Sequence, residues 1–236
     1  MGHSHALSGL AVGAGTLPWA PVHGTVAQVS WVAAVGGFAM LPDLDQPGST
    51  ISRMWGPLTD IPSGLVSRVA RGHRWGTHDT LLAPVVFFAI ATLAARSYWS
   101  SLLLVAIAIG LALRALNFVI PGNAENTVLG NLALSWAGAW WLLAHSPSPL
   151  WLPWAVAAGV VTHIAGDLLT REGVPVPVVW IVHRCRLAIT PLRTGTTLEK
   201  AVLAPAFLFA ALVLLYLNTG AQRALDPLWA RVSHWG

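Results

Sequence analysis

The chain has 236 residues, of which 55% are hydrophobic and 9% charged, with a formal net charge of +4. A soluble domain carries roughly 25% charged residues, so this composition excludes an ordinary water-facing fold. Several apolar runs approach the ~20 residues needed to cross a bilayer, which points to one membrane-embedded domain over residues 1–236. The single cysteine, Cys185, excludes an internal disulfide. No Lys or Arg precedes the first apolar stretch, so it lacks a signal peptide's basic start and is expected to be retained.

The apolar segments follow in order. Residues 3–17 are short and rich in Ala, Gly and Leu, a helix that inserts by packing on its neighbours, ended by Pro18 and Pro21. Residues 25–41 form a second helix, stopped by Pro42 and followed at once by Asp43-Leu44-Asp45. Residues 46–72 carry Gly, Pro and Ser and read as a long loop. Arg71-Gly72-His73-Arg74-Trp75-Gly76-Thr77-His78-Asp79 leads into a third helix over 80–95. Further helices are expected over 100–116, 125–145, 150–170 and 201–218. A second long loop, 171–199, offers 174–182 and 186–190 as a strand pair weakened by prolines. The polar tail holds Asp226, Arg231 and Trp235. The expected fold class is all-α: a polytopic transmembrane bundle of six or seven helices with two long polar loops on one side.

Threading the helices alternately across a bilayer brings His5, the 43–79 segment, the 118–124 turn and the 171–199 loop to one side. Arg53, Arg68, Arg71, Arg74, Arg114, Arg171, Arg184, Arg186, Arg193 and Lys200 fall on or near that side; Arg96, Arg223 and Arg231 fall opposite. The positive-inside rule then places the site side in the cytoplasm, with the protein in a plasma or inner membrane. The basic clusters with Trp suit the bilayer and its anionic headgroups rather than nucleic acid.

The polar clusters carry the chemistry. His163 and Asp167, four apart at the end of an apolar run, share a helix face with Thr170. Imidazole and carboxylate together suit Zn²⁺ or a similar divalent cation, although a plain helix-packing hydrogen bond would use the same pair. His5 has Gly9 one turn on, where a second helix can approach closely. Asp43 and Asp45 follow a helix C-terminus, where the dipole disfavours carboxylates unless a cation or local backbone bonds offset it. His73 and His78 are five apart and belong to a loop entering a helix, with Thr77 or Asp79 as its cap. Arg74 is placed to hold an anionic oxygen or a ligand carboxylate. Thr196 and Glu199 have capping-box spacing, which accounts for them without catalysis. His183, Arg184, Arg186 and Arg193 could line a phosphate site or bind headgroups.

In order, these motifs are His5-x-x-x-Gly9, Leu41-Pro42-Asp43-Leu44-Asp45, His73-Arg74-x-x-Thr77-His78, His163-x-x-x-Asp167-x-x-Thr170-x-x-Gly173 and Thr194-Gly195-Thr196-x-x-Glu199. The set resembles the YdjM-like family of membrane-bound metal-dependent hydrolases over nearly the whole chain. Asp79 stands where the family's Thr-His-Ser has a hydroxyl. More distantly, the order of ligands is similar to zinc-dependent phospholipase C, which implies phosphoester cleavage.

The resemblance implies a hydrolase acting on a lipid or lipid-linked phosphoester at the membrane surface. One or two divalent ions, Zn²⁺ first and Mn²⁺ or Mg²⁺ as alternatives, would sit among His5, Asp43, His73, His78, His163 and Asp167 and activate water. Asp45 or Glu199 would be the base, and Arg74, Arg186 or Arg193 would neutralise developing charge, with His183 beside the substrate. A metal-held scaffold without turnover needs the same ligands but no open position. Transport fits least, because it calls for charges near mid-membrane and Arg114 comes closest.

Overall fold

The computed structural model describes residues 2–121, 123–145, 149–190, 193 and 195–219. Thr194 and the tail residues Arg223, Asp226, Arg231 and Trp235 lie outside the described residues. Among the described residues there are eight α-helices: α1 Gly2–Thr16, α2 Thr25–Phe38, α3 Pro57–Val69, α4 Leu82–Ala94, α5 Tyr98–Ala115, α6 Ala124–His145, α7 Leu152–Leu168 and α8 Ala204–Asn218. Five helical stretches are long and apolar enough to cross a membrane, the first running from α2 through its terminal turn to Asp45. Along α4, α8 and the middle of α6 the large exposed side chains are apolar, Ile90, Leu129 and Phe209 among them. Such faces suit lipid, not water.

Helix α2 is the hub. It packs against α1, α5 and α7, while α8 flanks α1 and α4 leans on α7. Small residues permit this crowding. A Cβ added at Gly9 of α1 would stand 2.7 Å from Ala39 Cβ and 2.8 Å from the Val35 carbonyl. A Cβ at Gly159 of α7 would stand 2.7 Å from the Ala39 amide nitrogen. Both partner helices therefore touch the backbone of α2 near its C-terminal end, as small-residue contacts allow in a bilayer. Phe38, Val35, Val156 and Val160 fill the space between them with almost no exposure. On the far side, Asn131 of α6 donates to the Gly110 carbonyl of α5 at 3.0 Å and accepts from Trp55 Nε1 at 2.9 Å. That bond ties the segment after α2 to the bundle.

The 46–72 segment corrects the expected loop, because 57–69 within it is α3. Pro57 opens the helix where a missing N–H costs nothing, and Pro62 is tolerated inside it. The second polar segment is nearer expectation. Its ladder is short, Val174–Pro175 (β1) against Arg186–Leu187 (β2), antiparallel with Val174 opposite Leu187. The prolines confine it to two residues on each strand.

Candidate metal centre

Four helix ends meet. His5 lies in the first turns of α1, Asp43 in the 3₁₀ turn Pro42–Asp45 after α2, His78 in the turn Gly76–His78 before α4, and His163 and Asp167 at the end of α7. His78, His163 and Asp167 are fully buried, and the Asp43 side chain keeps 18% exposure.

The nitrogen and oxygen atoms converge. His163 Nε2 stands 3.1 Å from His78 Nε2 and 3.6 Å from both Asp43 Oδ1 and Asp167 Oδ2. His78 Nε2 stands 3.7 Å from Asp43 Oδ1 and 3.5 Å from Asp167 Oδ2. Donor atoms on a tetrahedral ion with bonds of about 2.0–2.1 Å are about 3.3–3.4 Å apart, so the spacing suits one cation. His5 completes the ring, its Nε2 3.4 Å from Asp167 Oδ1 and its ring stacked on His163 at 4.1 Å. A Cβ on Gly166 would meet the His5 ring at 2.9 Å, so the glycine makes room for it.

Two of the imidazoles are oriented with Nε2 toward the cluster and Nδ1 engaged away from it. His163 Nδ1 is 2.6 Å from the Ala39 carbonyl, which can only accept, so Nδ1 carries the proton and Nε2 presents its lone pair. The Thr77 hydroxyl gives its proton to Asp45 Oδ2 and faces His78 Nδ1 at 3.0 Å, leaving His78 Nε2 toward the cluster. Two triads of donors form, His5–His163–Asp167 and Asp43–His78–His163. They share His163, whose one available nitrogen is Nε2, so together they outline a single centre.

Electrostatics show what the cluster lacks. Neither oxygen of Asp167 accepts a hydrogen bond, although both are buried. Arg74 Nη2 is 3.2 Å from Oδ1, an ion pair without hydrogen-bond alignment. A buried carboxylate without aligned donors is costly even beside a guanidinium. A cation among the imidazoles would offset that cost, and the donor set fits a divalent ion of the zinc type. Burial by itself would lower the His78 pKa, but hydrogen bonds to Asp43 and Asp45 and the charges of Asp45 and Asp167 outweigh it and push it up to about 9.

The other expected site residues are placed differently. Asp45 points away from the central donors: Oδ1 meets His73 Nδ1 at 2.6 Å, and Oδ2 accepts from Thr77 and from the Arg74 amide at 3.1 Å. Arg74 reaches that position with φ 63°, left-handed and strained for a side chain of its size. His73 thus brings no nitrogen to the centre; its ring stands edge-on to His78 at 5.4 Å, with 31% side-chain exposure. The Glu199 carboxylate accepts from Ser4 Oγ at 2.6 Å and from the Gly195 amide, and its own amide bonds Thr196 Oγ1 at 3.4 Å. That is the helix-start arrangement its spacing suggested. Arg186 lies over Trp75 at 4.5 Å and Arg184 at 5.3 Å, both exposed. His183 and Arg193 are exposed and belong to neither triad.

Asp79, read as a helix cap, does more than cap. Its Oδ1 accepts from the Leu81 and Leu82 amides at 2.8 Å, and its Oδ2 accepts from the Val178 amide at 2.9 Å and Trp180 Nε1 at 2.7 Å. No local pattern signals the last two, because those partners lie about a hundred residues on.

An apolar helical bundle with buried imidazoles and carboxylates at one end defines a polytopic membrane protein with a candidate metal centre. Residues 1–117 match the family model described as YdjM inner membrane protein, so that stretch is of the YdjM type, as the ordered motifs implied. It includes His5, Asp43, Asp45, His73, Arg74 and His78; His163 and Asp167 lie beyond it. No curated protein and no solved structure matches the chain.

Proposed function

We propose that this membrane protein is a metal-dependent hydrolase cleaving a phosphoester of a lipid or lipid-linked substrate at the membrane surface. The observation that carries the reading is the meeting of His5, Asp43, His78, His163 and Asp167 around a carboxylate with no hydrogen bond of its own. These five residues would hold the cation, Zn²⁺ by their chemistry. When bound, such an ion lowers the pKa of water and polarises a phosphoryl oxygen.

The chain's own groups supply the rest. Asp45 receives His73 Nδ1, which leaves His73 Nε2 free to take a proton. We assign the base to this pair, with Asp45 as the positioning residue, instead of Asp45 or Glu199 directly. The partial exposure of His73 and Asp43 marks the side from which substrate reaches the cluster. Arg186, spread over Trp75, supplies a guanidinium near that mouth for a phosphate. The excess of arginine at this end supports a cytoplasmic orientation.

The test combines metal analysis with phosphate-ester release from a panel of phospholipids by untagged protein. Wild type should carry stoichiometric metal and lose activity with chelator; His163→Ala should lose both. Equal release by wild type, chelated protein and His163→Ala sinks the enzyme reading. The full engagement of both oxygens of Asp45 and Glu199 favours a second reading, a metal-held scaffold. Stoichiometric metal with no turnover on any ester would select it.

A further inference from the structure

Helix α3 is amphipathic, and its orientation is reversed relative to a water-soluble protein. Leu58, Ile61, Leu65 and Val69 recur at helical spacing and form one stripe. All four are exposed, Ile61 at 75% and Val69 at 78%. The polar face turns inward. Ser63 is buried on it, and Asp60 accepts from the Gly48 amide at 2.7 Å, Ser52 Oγ at 2.8 Å and Arg53 Nε at 3.2 Å. Water would select the opposite rotation, because an exposed apolar stripe on a helix gains nothing from it.

The location says what covers the stripe. Helix α3 packs against the turn Pro42–Asp45, where the α2 span ends. It therefore lies at the boundary between the apolar bundle and water, at the end that holds the metal centre. Arg68 and Arg71 are exposed at its C-terminal end and line a cleft of about 510 Å³ with Pro47, Gly64, Ser67 and Gly72. Among the described residues no acidic side chain lines that cleft. An apolar face beside a basic, headgroup-sized cleft is complementary to a leaflet of anionic phospholipid.

We propose that α3 is an interfacial helix: its Leu58–Val69 stripe sits in the acyl boundary of the site-side leaflet, and Arg68 and Arg71 bind anionic phospholipid headgroups. It is a docking surface separate from the metal centre, and it stands whether or not that centre turns over substrate.

The test uses the full chain with Cys185→Ser and single cysteines at Ile61, Leu65 or Gln46, the last as a loop control. Each carries a fluorophore and is reconstituted in vesicles of phosphatidylcholine with phosphatidylglycerol. Labels at 61 and 65 should be quenched by brominated lipid and shielded from iodide, with the reverse at 46. Brominated phosphatidylglycerol should quench position 61 several-fold more than brominated phosphatidylcholine, and Arg68→Gln with Arg71→Gln should bring that ratio to one. Iodide quenching at 61 and 65 equal to that at 46 overturns the proposal. Shielding from both iodide and lipid also overturns it, because a second protein copy would then cover the stripe. A wild-type ratio of one overturns the headgroup assignment.

Discussion

Asp79 and Asp167 are both fully buried, yet their surroundings are opposite. Asp79 accepts four N–H donors, two on each oxygen. Burial would raise its pKa, but those donors hold it below the usual carboxylate range. Asp167 has no aligned hydrogen bond; it faces three imidazoles and the Arg74 guanidinium, 3.2 Å from Oδ1. The first carboxylate is satisfied by protein and needs nothing more. The second has charged and aromatic neighbours but no aligned donor, an arrangement that leaves its oxygens open to a cation. Burial alone therefore does not mark a functional acid; the donors left missing around it do.

The widest separation should come from deleting each side. His163→Ala removes the nitrogen common to both triads and should lower metal affinity by well over the ~10–100-fold typical of an outer-shell partner. Asp79→Ala should leave metal stoichiometry intact while orphaning four donors, at a cost of about 2–4 kcal/mol in stability. Titration with Zn²⁺ alongside thermal melts separates the two, and loss of metal in Asp79→Ala would break the contrast.

Next in size is the link between them. Asp45→Asn replaces one of the two acceptor oxygens that receive His73 on one side and Thr77 and the Arg74 amide on the other, so activity should fall about 10–100-fold. His73→Gln should lower activity with metal retained, because it removes the imidazole that Asp45 positions. Unchanged turnover in His73→Gln would count against the assigned base.

Proton competition comes third. With its pKa pushed up to about 9, His78 is protonated at neutral pH in the metal-free protein. Zn²⁺ must displace that proton, so affinity should rise about tenfold per pH unit up to 9. The stability of the metal-free protein should run the other way. A histidine raised on folding contributes fully below its unfolded pKa of about 6.5, and the contribution is lost as pH rises through about 9. Parallel slopes in the two measurements would contradict the picture.

The smallest effect is expected at Gly166. Gly166→Ala favours the helix but drives a methyl to 2.9 Å from the His5 ring. Metal affinity should fall a few-fold while helix content by circular dichroism is unchanged.

The spanning helices were legible because a bilayer demands long apolar runs. The convergence of His5, Asp43, His78, His163 and Asp167 was legible in outline because all five sit at helix ends on one side. Helix α3 was not, because Pro57, Pro62, Gly64 and the five polar residues Thr59, Asp60, Ser63, Ser67 and Arg68 interrupt its apolar spacing. His73 was assigned to the metal because residue type does not say which way a ring turns. Its partner, Asp45, lies 28 residues earlier. The reach of Asp79 to Val178 and Trp180 was equally invisible, since tertiary packing alone brings those residues near.

The five central residues come from positions 5, 43, 78, 163 and 167. During synthesis, the first three emerge long before α7, which brings the last two. The cluster therefore cannot close until α7 has docked against α1 and α2, so any cation it takes would be captured late in biogenesis. A chain truncated before residue 163 holds fragments of both triads and completes neither.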